Sequence, residues 1–269
     1  MVFSNVVFLF VFLPVVLLSY FIVPNRWKNV ILLIFSLIFY AWGEPKYVFL
    51  MMVSIVMNYL FGILIEKYRG KLSLKKLFLT GAIIGNILIL AFFKYAMFLV
   101  DNVNRLFDLS IDMEPIALPI GISFFTFQAM SYIIDMYRKD ANVQRNLISL
   151  SLYISLFPQL VAGPIVRYNT IADQIKKRIV NVDKFAEGVR RFIIGLTKKV
   201  IVANTVSEVA DMVYSTPAGE LSVATAWIGV AAYGLQIYFD FSGYSDMAIG
   251  LGKMFGFTFL ENFNYPYIA

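Results

Sequence analysis

The chain has 269 residues, of which 60% are hydrophobic and 15% charged, with a mean hydropathy of +0.75 and a formal net charge of +6. This composition excludes an ordinary soluble domain and predicts a helical protein with several membrane spans. Cysteine and histidine are both absent, which excludes disulfides, thiolate metal sites and Ser-His triads. We therefore expect no metal site and no bound cofactor, and any chemistry within these residues would have to use carboxylates.

Apolar runs predict the membrane spans in chain order, because a helix needs about 20 residues to cross a bilayer. The predicted spans are residues 3–23, 29–42, 47–65, 77–100, 116–135 and 221–239. The second span is short, and Gly43-Glu44-Pro45 should end its helix. Arg26 and Lys28 follow the first span and no basic residue precedes it. This pattern predicts a retained first span with the N-terminus outside the cell.

The charges between the spans support a topology of this kind. Segments 66–76 and 167–199 are mainly basic, whereas segments 101–114 and 207–220 are mainly acidic. The positive-inside rule places the basic segments in the cytoplasm and the acidic ones outside. The positive net charge is thus explained by topology, and we expect no nucleic-acid partner.

Residues 147–166 fit a re-entrant segment better than a simple crossing. Both flanks are basic and should lie on the cytoplasmic side, and Pro158 and Gly163-Pro164 interrupt the apolar run. Irregular backbone persists at membrane depth only where it is buried in protein or lines a wet cavity. We therefore predict a re-entrant turn at Pro158, Gly163 and Pro164 beside a polar funnel.

Residues 182–199 combine apolar positions at helical spacing with basic positions mostly on the opposite face. This pattern is typical of a helix in the inner membrane interface, with its basic residues toward anionic headgroups. Docking of an acidic cytoplasmic partner is the alternative. No internal repeat or soluble segment is evident, so we expect residues 1–269 to form a single membrane domain.

The stretch from Gln236 to Asp246 is unusually polar for a sequence at the end of an apolar run. Carboxylates at the edge of a membrane span are costly, and such residues are usually functional. With two earlier glutamines they form the candidate set for lining a funnel. These residues are Gln128, Gln159, Gln236, Tyr238, Asp240, Ser242, Tyr244 and Asp246.

Each candidate also has a purely structural explanation. Asp240 or Ser242 could cap a helix that begins near Tyr244, and a helix N-terminus inside a funnel could also stabilise negative charge on a substrate. Gln128 could join two helices, and the tyrosines could be interfacial or core aromatics. Asp240 and Asp246 are six residues apart across an expected turn, and this spacing does not require their carboxyls to meet.

Six motifs occur along the chain in the order typical of one enzyme family. They are Phe39-Tyr-Ala-Trp-Gly-Glu-Pro45, Pro119-Ile-Gly-Ile-Ser-Phe-Phe-Thr-Phe-Gln128, Phe157-Pro-Gln-Leu-Val-Ala-Gly-Pro164, Gly195-Leu-Thr-Lys-Lys199, Tyr238-Phe-Asp-Phe-Ser-Gly-Tyr-Ser-Asp246 and Asn262-Phe-Asn-Tyr-Pro266. Together they resemble the membrane-bound O-acyltransferase (MBOAT) family, in particular its bacterial alginate O-acetyltransferase branch. Asn204 departs from the pattern, because the family usually has aspartate there.

The resemblance implies an all-helical ring of spans around a funnel in the bacterial plasma membrane. An acyl group, here expected to be acetyl, would pass from a cytoplasmic thioester such as acetyl-CoA to hydroxyls of an extracytoplasmic polysaccharide. An extracytoplasmic partner protein could complete the transfer.

The resemblance also implies where the catalytic histidine of the family should lie. This histidine is part of a Trp-His motif shortly after the segment that matches Asn262 to Ala269, so we expect it beyond Ala269. The resemblance thus implies the N-terminal part of a longer enzyme, with no catalytic residue in 1–269 and no activity by itself.

Two other interpretations stay open at this point. Polar residues in discontinuous helices would also suit a transporter or channel for a polar substrate, although no inverted repeat is visible. The chain could also be one half of a split acyltransferase, an incomplete sequence or a degenerate remnant. The acceptor polymer and the oligomeric state do not follow from the sequence.

Overall fold

A computed structural model describes residues 2–160, 163, 166–217, 219–264 and 266. Within these residues the regular structure is helical and no strand occurs, which confirms the all-helical fold class. The α-helices are α1 (Leu13–Ile22), α2 (Lys28–Gly43), α3 (Tyr47–Lys67), α4 (Leu72–Phe107), α5 (Ile122–Arg138), α6 (Leu147–Ser155), α7 (Phe157–Leu160), α8 (Tyr168–Lys176), α9 (Val182–Thr197), α10 (Asn204–Ser215) and α11 (Val223–Met254). Segments Phe8–Phe12 and Lys198–Ala203 are π-helical, and Asn25–Trp27 is a 3₁₀ turn.

Most predicted spans correspond to observed helices, but several boundaries differ. Helix α2 ends at Gly43, as predicted, while α4 extends well past the predicted span on both sides because its polar ends also stay helical. Helix α5 begins at Ile122, several residues later than predicted, after Gly121 with a φ of 74°. Such a left-handed backbone interrupts a helix and favours glycine.

Among the described residues, α3 and α4 are long and apolar enough to cross a membrane, and Phe8–Ile22 is a shorter apolar helix. The larger number of spans and the re-entrant segment stay predictions. The chain divides into two compact units, one containing α2 to α8 and the other containing α1 and α9 to α11. The expectation of a single membrane domain is not tested by this division.

The unit with α2 to α8 is held together by buried polar links between apolar helices. Asn58 of α3 and Asn86 of α4 each donate a side-chain hydrogen bond to the other, at 3.1 and 2.8 Å, and both are fully buried. Ser36 of α2 accepts a bond from the backbone N–H of Phe157 at the start of α7. These bonds satisfy groups that would otherwise be costly to bury.

In the other unit, α9 and α11 pack antiparallel along two pairs of facing glycines. Gly188 lies against Gly250, and Gly195 lies against Gly243, each pair seven residues from the next along both helices. A Cβ at Gly195 would approach the carbonyl oxygen of Gly243 to 2.5 Å. Small residues of this kind allow two helix backbones to approach closely.

Helix α11 runs without interruption from Val223 to Met254, so the prediction of a helix starting near Tyr244 is wrong. Neither Asp240 nor Ser242 is a cap; the observed N-cap is Ser222, whose hydroxyl accepts the Thr225 N–H at 3.1 Å. The carboxylates of its polar stretch are paired laterally with lysine and arginine side chains while the helix continues. Their polarity therefore does not require the helix to end.

Candidate functional site

Asp246 lies at the centre of the most densely charged contact in the described part of the chain. Its side chain is 7% exposed and accepts 2.6 Å contacts from the Arg191 Nη2 and Lys198 Nζ atoms on different oxygens. Arg191 Nε also bonds to Asp246 Oδ1 at 2.7 Å. A buried carboxylate is tolerated when it is paired and hydrogen-bonded in this way.

Arg191 also contacts the segment that follows α11. Its Nη2 atom lies 2.6 Å from Glu261 Oε2, so one guanidinium bridges α9, α11 and this segment. Burial alone would lower the pKa of Arg191, but the adjacent carboxylates of Asp246 and Glu261 raise it. The guanidinium therefore stays charged, and its planar fork suits two carboxylate partners.

Two further basic residues hold the end of α11. Lys184 Nζ donates to the Gly256 carbonyl at 2.8 Å, and Arg178 Nε donates to the Phe255 carbonyl at 3.1 Å. Gly256 has a φ of 88°, a conformation that glycine adopts readily at a helix end. Cations at this position also complement the negative end of the helix dipole. The direction of the chain after α11 is thus set by contacts from basic residues at 178–191.

Asp240 has a different partner and a more open setting. Its carboxylate lies 2.6 Å from Lys199 Nζ, and its side chain is 46% exposed. At 1.5 Å per residue, six positions of continuous helix separate Asp240 from Asp246 by about 9 Å along the axis and place them on different faces. The two carboxylates do not form a pair. Asp240 pairs with Lys199 of the π-helical segment after α9, whereas Asp246 pairs with Lys198 of that segment and with Arg191 of α9.

The remaining candidates on α11 are of two kinds, buried polar side chains and aromatic rings. The side-chain oxygens of Gln236 and Ser242 are buried and have no hydrogen-bond partner in the described part of the chain. Tyr244 stacks on Phe3 with ring centroids 4.6 Å apart, and Tyr238 meets Phe263 edge-on at 5.8 Å. The tyrosine rings are therefore part of aromatic packing.

In the unit with α2 to α8, Gln128 and Gln159 converge on one backbone carbonyl. Their Nε2 atoms donate to the Tyr153 oxygen at 2.7 and 3.0 Å, and both residues are buried. The bond from Gln128 joins α5 to α6, as expected of a residue that links helices. Pro158 is buried in α7, which follows a break in the helix at Leu156.

The other residues of the predicted re-entrant turn can be placed only in part. Gly163 is buried in a bend, and Pro164 lies outside the described residues. The re-entrant path and the funnel-lining role of all the candidates stay predictions.

The expected position of the catalytic histidine also falls beyond what the structure describes. Ala269, after which the family resemblance places this histidine, lies outside the described residues, as does Tyr265 within the Asn262–Pro266 motif. The expectation of a histidine beyond Ala269 therefore stays a prediction.

The sequence interpretation did not single out the basic partners of the two aspartates. Lys198 and Lys199 belong to the Gly195–Lys199 motif, and Arg191 precedes it by one helical turn. The available signal was the common spacing of the glycines, at 188 and 195 in α9 and at 243 and 250 in α11. Two helices with glycines at equal intervals can pack along these positions. Such packing places the Gly195–Lys199 motif beside the Tyr238–Asp246 motif.

The ion pairs of Asp246 with Arg191 and Lys198 can hold α9 against α11, and the Arg191–Glu261 pair can order the segment after α11. Asp246 does not offer a free base. Both carboxylate oxygens of Asp246 contact cations, so removing a proton from a hydroxyl would first require one of these ion pairs to open. No group of three or more Asp or Glu residues that could hold a metal ion occurs within the described ranges.

Comparison with known proteins decides the family. A family model of MBOAT, the membrane-bound O-acyltransferase family, matches residues 34–268. The chain belongs to this family. Its membership confirms the resemblance carried by the six motifs and makes the chain a membrane protein. The Gly195–Lys199 and Tyr238–Asp246 motifs, quoted separately from the sequence, face each other across the α9–α11 contact of this MBOAT chain.

Individual members of the family are similar to the chain over all or part of its length. The chain is 45% identical over its whole length to a probable alginate O-acetylase of Pseudomonas aeruginosa and covers 52% of that protein. It is 35% identical over its whole length to a peptidoglycan O-acetyltransferase of Helicobacter pylori, covering 57% of it. A teichoic acid D-alanyltransferase of Bacillus subtilis is 27% identical over 56% of the chain. The chain thus spans about half the length of the curated relatives that match all of it.

Proposed function

We propose that the protein is part of a membrane O-acyltransferase that moves an acetyl group from a cytoplasmic thioester to hydroxyls of an extracytoplasmic polysaccharide. The observation that carries this proposal is the match of the entire chain to both an alginate and a peptidoglycan acetylating relative. Their common feature is a polysaccharide acceptor. The acceptor of this protein belongs to the same chemical class, and acetyl-CoA or another acyl thioester is the proposed donor.

The proposed reaction is attack of an acceptor hydroxyl oxygen on the thioester carbonyl. The hydroxyl proton goes to a general base, the C–S bond breaks, and the sulfur leaves as a thiolate that takes a proton from the protonated base. A base must lie within hydrogen-bonding distance of the proton that it removes. The 269 residues contain no histidine, and both oxygens of the buried Asp246 carboxylate are engaged. We therefore propose that residues 1–269 alone do not transfer acyl groups, and that an extracytoplasmic protein partner assists the complete enzyme.

The proposed topology is a multi-pass protein of the bacterial plasma membrane with its N-terminus outside. The apolar helices α3 and α4 and the interruption after α6 support this topology and the re-entrant element at residues 147–166. We propose that residues 1–269 form a single membrane domain and that Gln128, Gln159 and Gln236 are each funnel-lining residues. Asp240, half-exposed beside Lys199, would contribute a charged pair to the funnel wall.

The continuous α11 suggests two distinct roles for its polar stretch. Gln236, Asp240 and Tyr244 recur at intervals of four residues and share one face, whereas Tyr238, Ser242 and Asp246 share another. We assign Gln236 and Asp240 of the first face to the funnel, while the Tyr244 ring on that face packs on Phe3. The face with Asp246 would hold α9 and the chain after α11 in place.

A transfer assay tests the proposal. Membranes containing the complete product of the gene are incubated with radiolabelled acetyl-CoA and alginate or peptidoglycan fragments, and the label in the polysaccharide is counted. We expect transfer by the complete product and none by purified 1–269. Transfer by 1–269 would contradict its proposed inactivity. Uptake of a polar solute into proteoliposomes without any transfer by the complete product would favour a transporter.

The reading frame beyond the codon for Ala269 tests the relation of this chain to its longer relatives. A continuing frame that encodes a Trp-His motif would identify an incomplete sequence. A separate downstream gene with that motif would identify a split enzyme, and an unrelated sequence would identify a remnant.

A further inference from the structure

Helix α9 carries two neighbouring depressions of opposite character. The first, called the polar cavity, has a volume of about 260 Å³ and is lined by Glu187, Arg190, Arg191, Ile194 and Lys253. The second, called the apolar groove, has a volume of about 480 Å³ and is lined by Phe185, Ala186, Val189, Arg190, Ile193 and Ile194. Arg190 and Ile194 border both depressions, so a charged site and an apolar surface meet at these two residues.

Arg190 differs from the other cations of the polar cavity. Arg191 is engaged by Asp246 and Glu261, and Lys253 lies 2.9 Å from Glu187. No ion pair of Arg190 occurs in the described part of the chain, and its side chain is exposed. Its guanidinium is therefore available to an anion from outside the described structure.

The electrostatic surroundings also favour an anion. Burial, followed by the positive charge of Lys253, lowers the pKa of Lys184, which lies on the first turn of the same helix. The hydrogen bond and charge of Lys253, followed by the charge of Arg190, lower the pKa of the exposed Glu187. This one carboxylate faces both cations and lies 2.9 Å from Lys253, so the cavity keeps an excess of positive charge. Guanidinium groups bind phosphate oxygens through paired N–H donors.

The apolar groove identifies the class of ligand. Ile193 and Ile194 are 55% and 46% exposed beside this cation, in a chain of a membrane protein family. A free phosphate would occupy the polar cavity and leave the groove open to water. An acidic protein surface would bring few groups able to fill it. A phospholipid supplies both a phosphate and an acyl chain, and the two depressions adjoin at Arg190 and Ile194.

We propose that Arg190 binds the phosphate of an anionic phospholipid whose acyl chain lies in the apolar groove between Phe185 and Ile194. This site would attach one face of α9 to the lipid, while the glycine face of α9 packs on α11. It goes beyond the proposed transferase activity, because the lipid is neither donor nor acceptor. The lipid-binding proposal can be tested independently of the transferase proposal.

Lipid retention in native mass spectrometry tests this site. The purified protein is loaded with equal amounts of phosphatidylglycerol and phosphatidylcholine in neutral detergent, and the bound lipids are counted. We expect wild type to retain phosphatidylglycerol preferentially, and R190Q to lower this preference about fivefold, as for loss of one basic contact to an anionic lipid. The matched control is R105Q, an exposed arginine in the last turn of α4, which should retain the preference.

Two further measurements separate a lipid from other anions. Ile193→Gln places a polar group in the groove and should weaken retention of phosphatidylglycerol while R105Q does not. Inorganic phosphate at millimolar concentration should fail to displace the lipid. Displacement by phosphate, with Ile193→Gln behaving as wild type, would identify a soluble phosphate ligand and overturn the proposal. An unchanged preference in R190Q would overturn it as well.

Discussion

Replacing Asp246 by asparagine removes one negative charge but keeps the size of the side chain. Arg191 and Lys198 then lose the carboxylate that both contact at 2.6 Å. Asp240→Asn is a matched control on the same helix, because Asp240 also has a 2.6 Å contact, with Lys199. The two sites differ in burial: the Asp246 side chain is 7% exposed and that of Asp240 is 46% exposed.

Burial predicts unequal losses of stability. Removing one partner of a buried ion pair costs about 3–5 kcal/mol because an uncompensated charge remains. Arg191 and Lys198 are each about one-third exposed and keep part of their solvation, so we expect the lower end, about 3 kcal/mol, for D246N. An exposed pair contributes about 0–1 kcal/mol, which is our expectation for D240N.

The difference in stability between D246N and D240N is measured by thermal unfolding in detergent. Size-exclusion chromatography of the fraction that stays soluble after heating gives the midpoint of each variant. We expect the midpoint of D246N to fall by roughly 5–10 °C and that of D240N by less than about 4 °C, from the usual scaling for chains of this size. A double-mutant cycle with Lys198→Met isolates the Lys198–Asp246 contact and should give a favourable coupling. Equal midpoints for the two asparagine variants would refute the argument from burial.

Two further substitutions test the helix contacts. Gly250→Ala places a Cβ 2.6 Å from the Gly188 carbonyl oxygen and should lower the unfolding free energy by about 1–3 kcal/mol, whereas G234A, with open space around it, should be neutral or slightly stabilising. If G250A and G234A have the same midpoint of thermal unfolding, the inferred close packing of α9 on α11 is wrong. Asn86→Leu should cost about 1–2 kcal/mol, because the buried side-chain oxygen of Asn58 loses the Asn86 donor while its amide nitrogen keeps the Ser54 carbonyl. The double leucine variant should recover part of this loss, and a purely additive result would contradict the pairing.

Local sequence features were sufficient for much of the architecture. Hydropathy and helix-breaking residues located most helices, including the end of α2 at Gly43 and the amphipathic α9. Ordered motifs were sufficient for the family. These features depend on composition and on residues near each other in the chain, so they can be recognised without a fold.

The contacts of the polar residues could not be predicted in this way. A carboxylate within an apolar sequence is compatible with a cap, a turn or a lateral ion pair, and local propensity does not distinguish them. The partners of Asp246 lie 48 and 55 residues away, and only the packing of α9 against α11 brings them to it. The same reasoning applies to Gln128, whose partner carbonyl at Tyr153 is 25 residues away.

The sequence by itself therefore determined the class, the approximate helices and the family of this protein. Only the tertiary structure decided that α11 continues through Asp240 and Asp246 and that the two aspartates have separate basic partners. The physical reason is that charge compensation depends on three-dimensional proximity. Lys198 and Arg191 reach Asp246 because facing glycines allow two distant helices to approach.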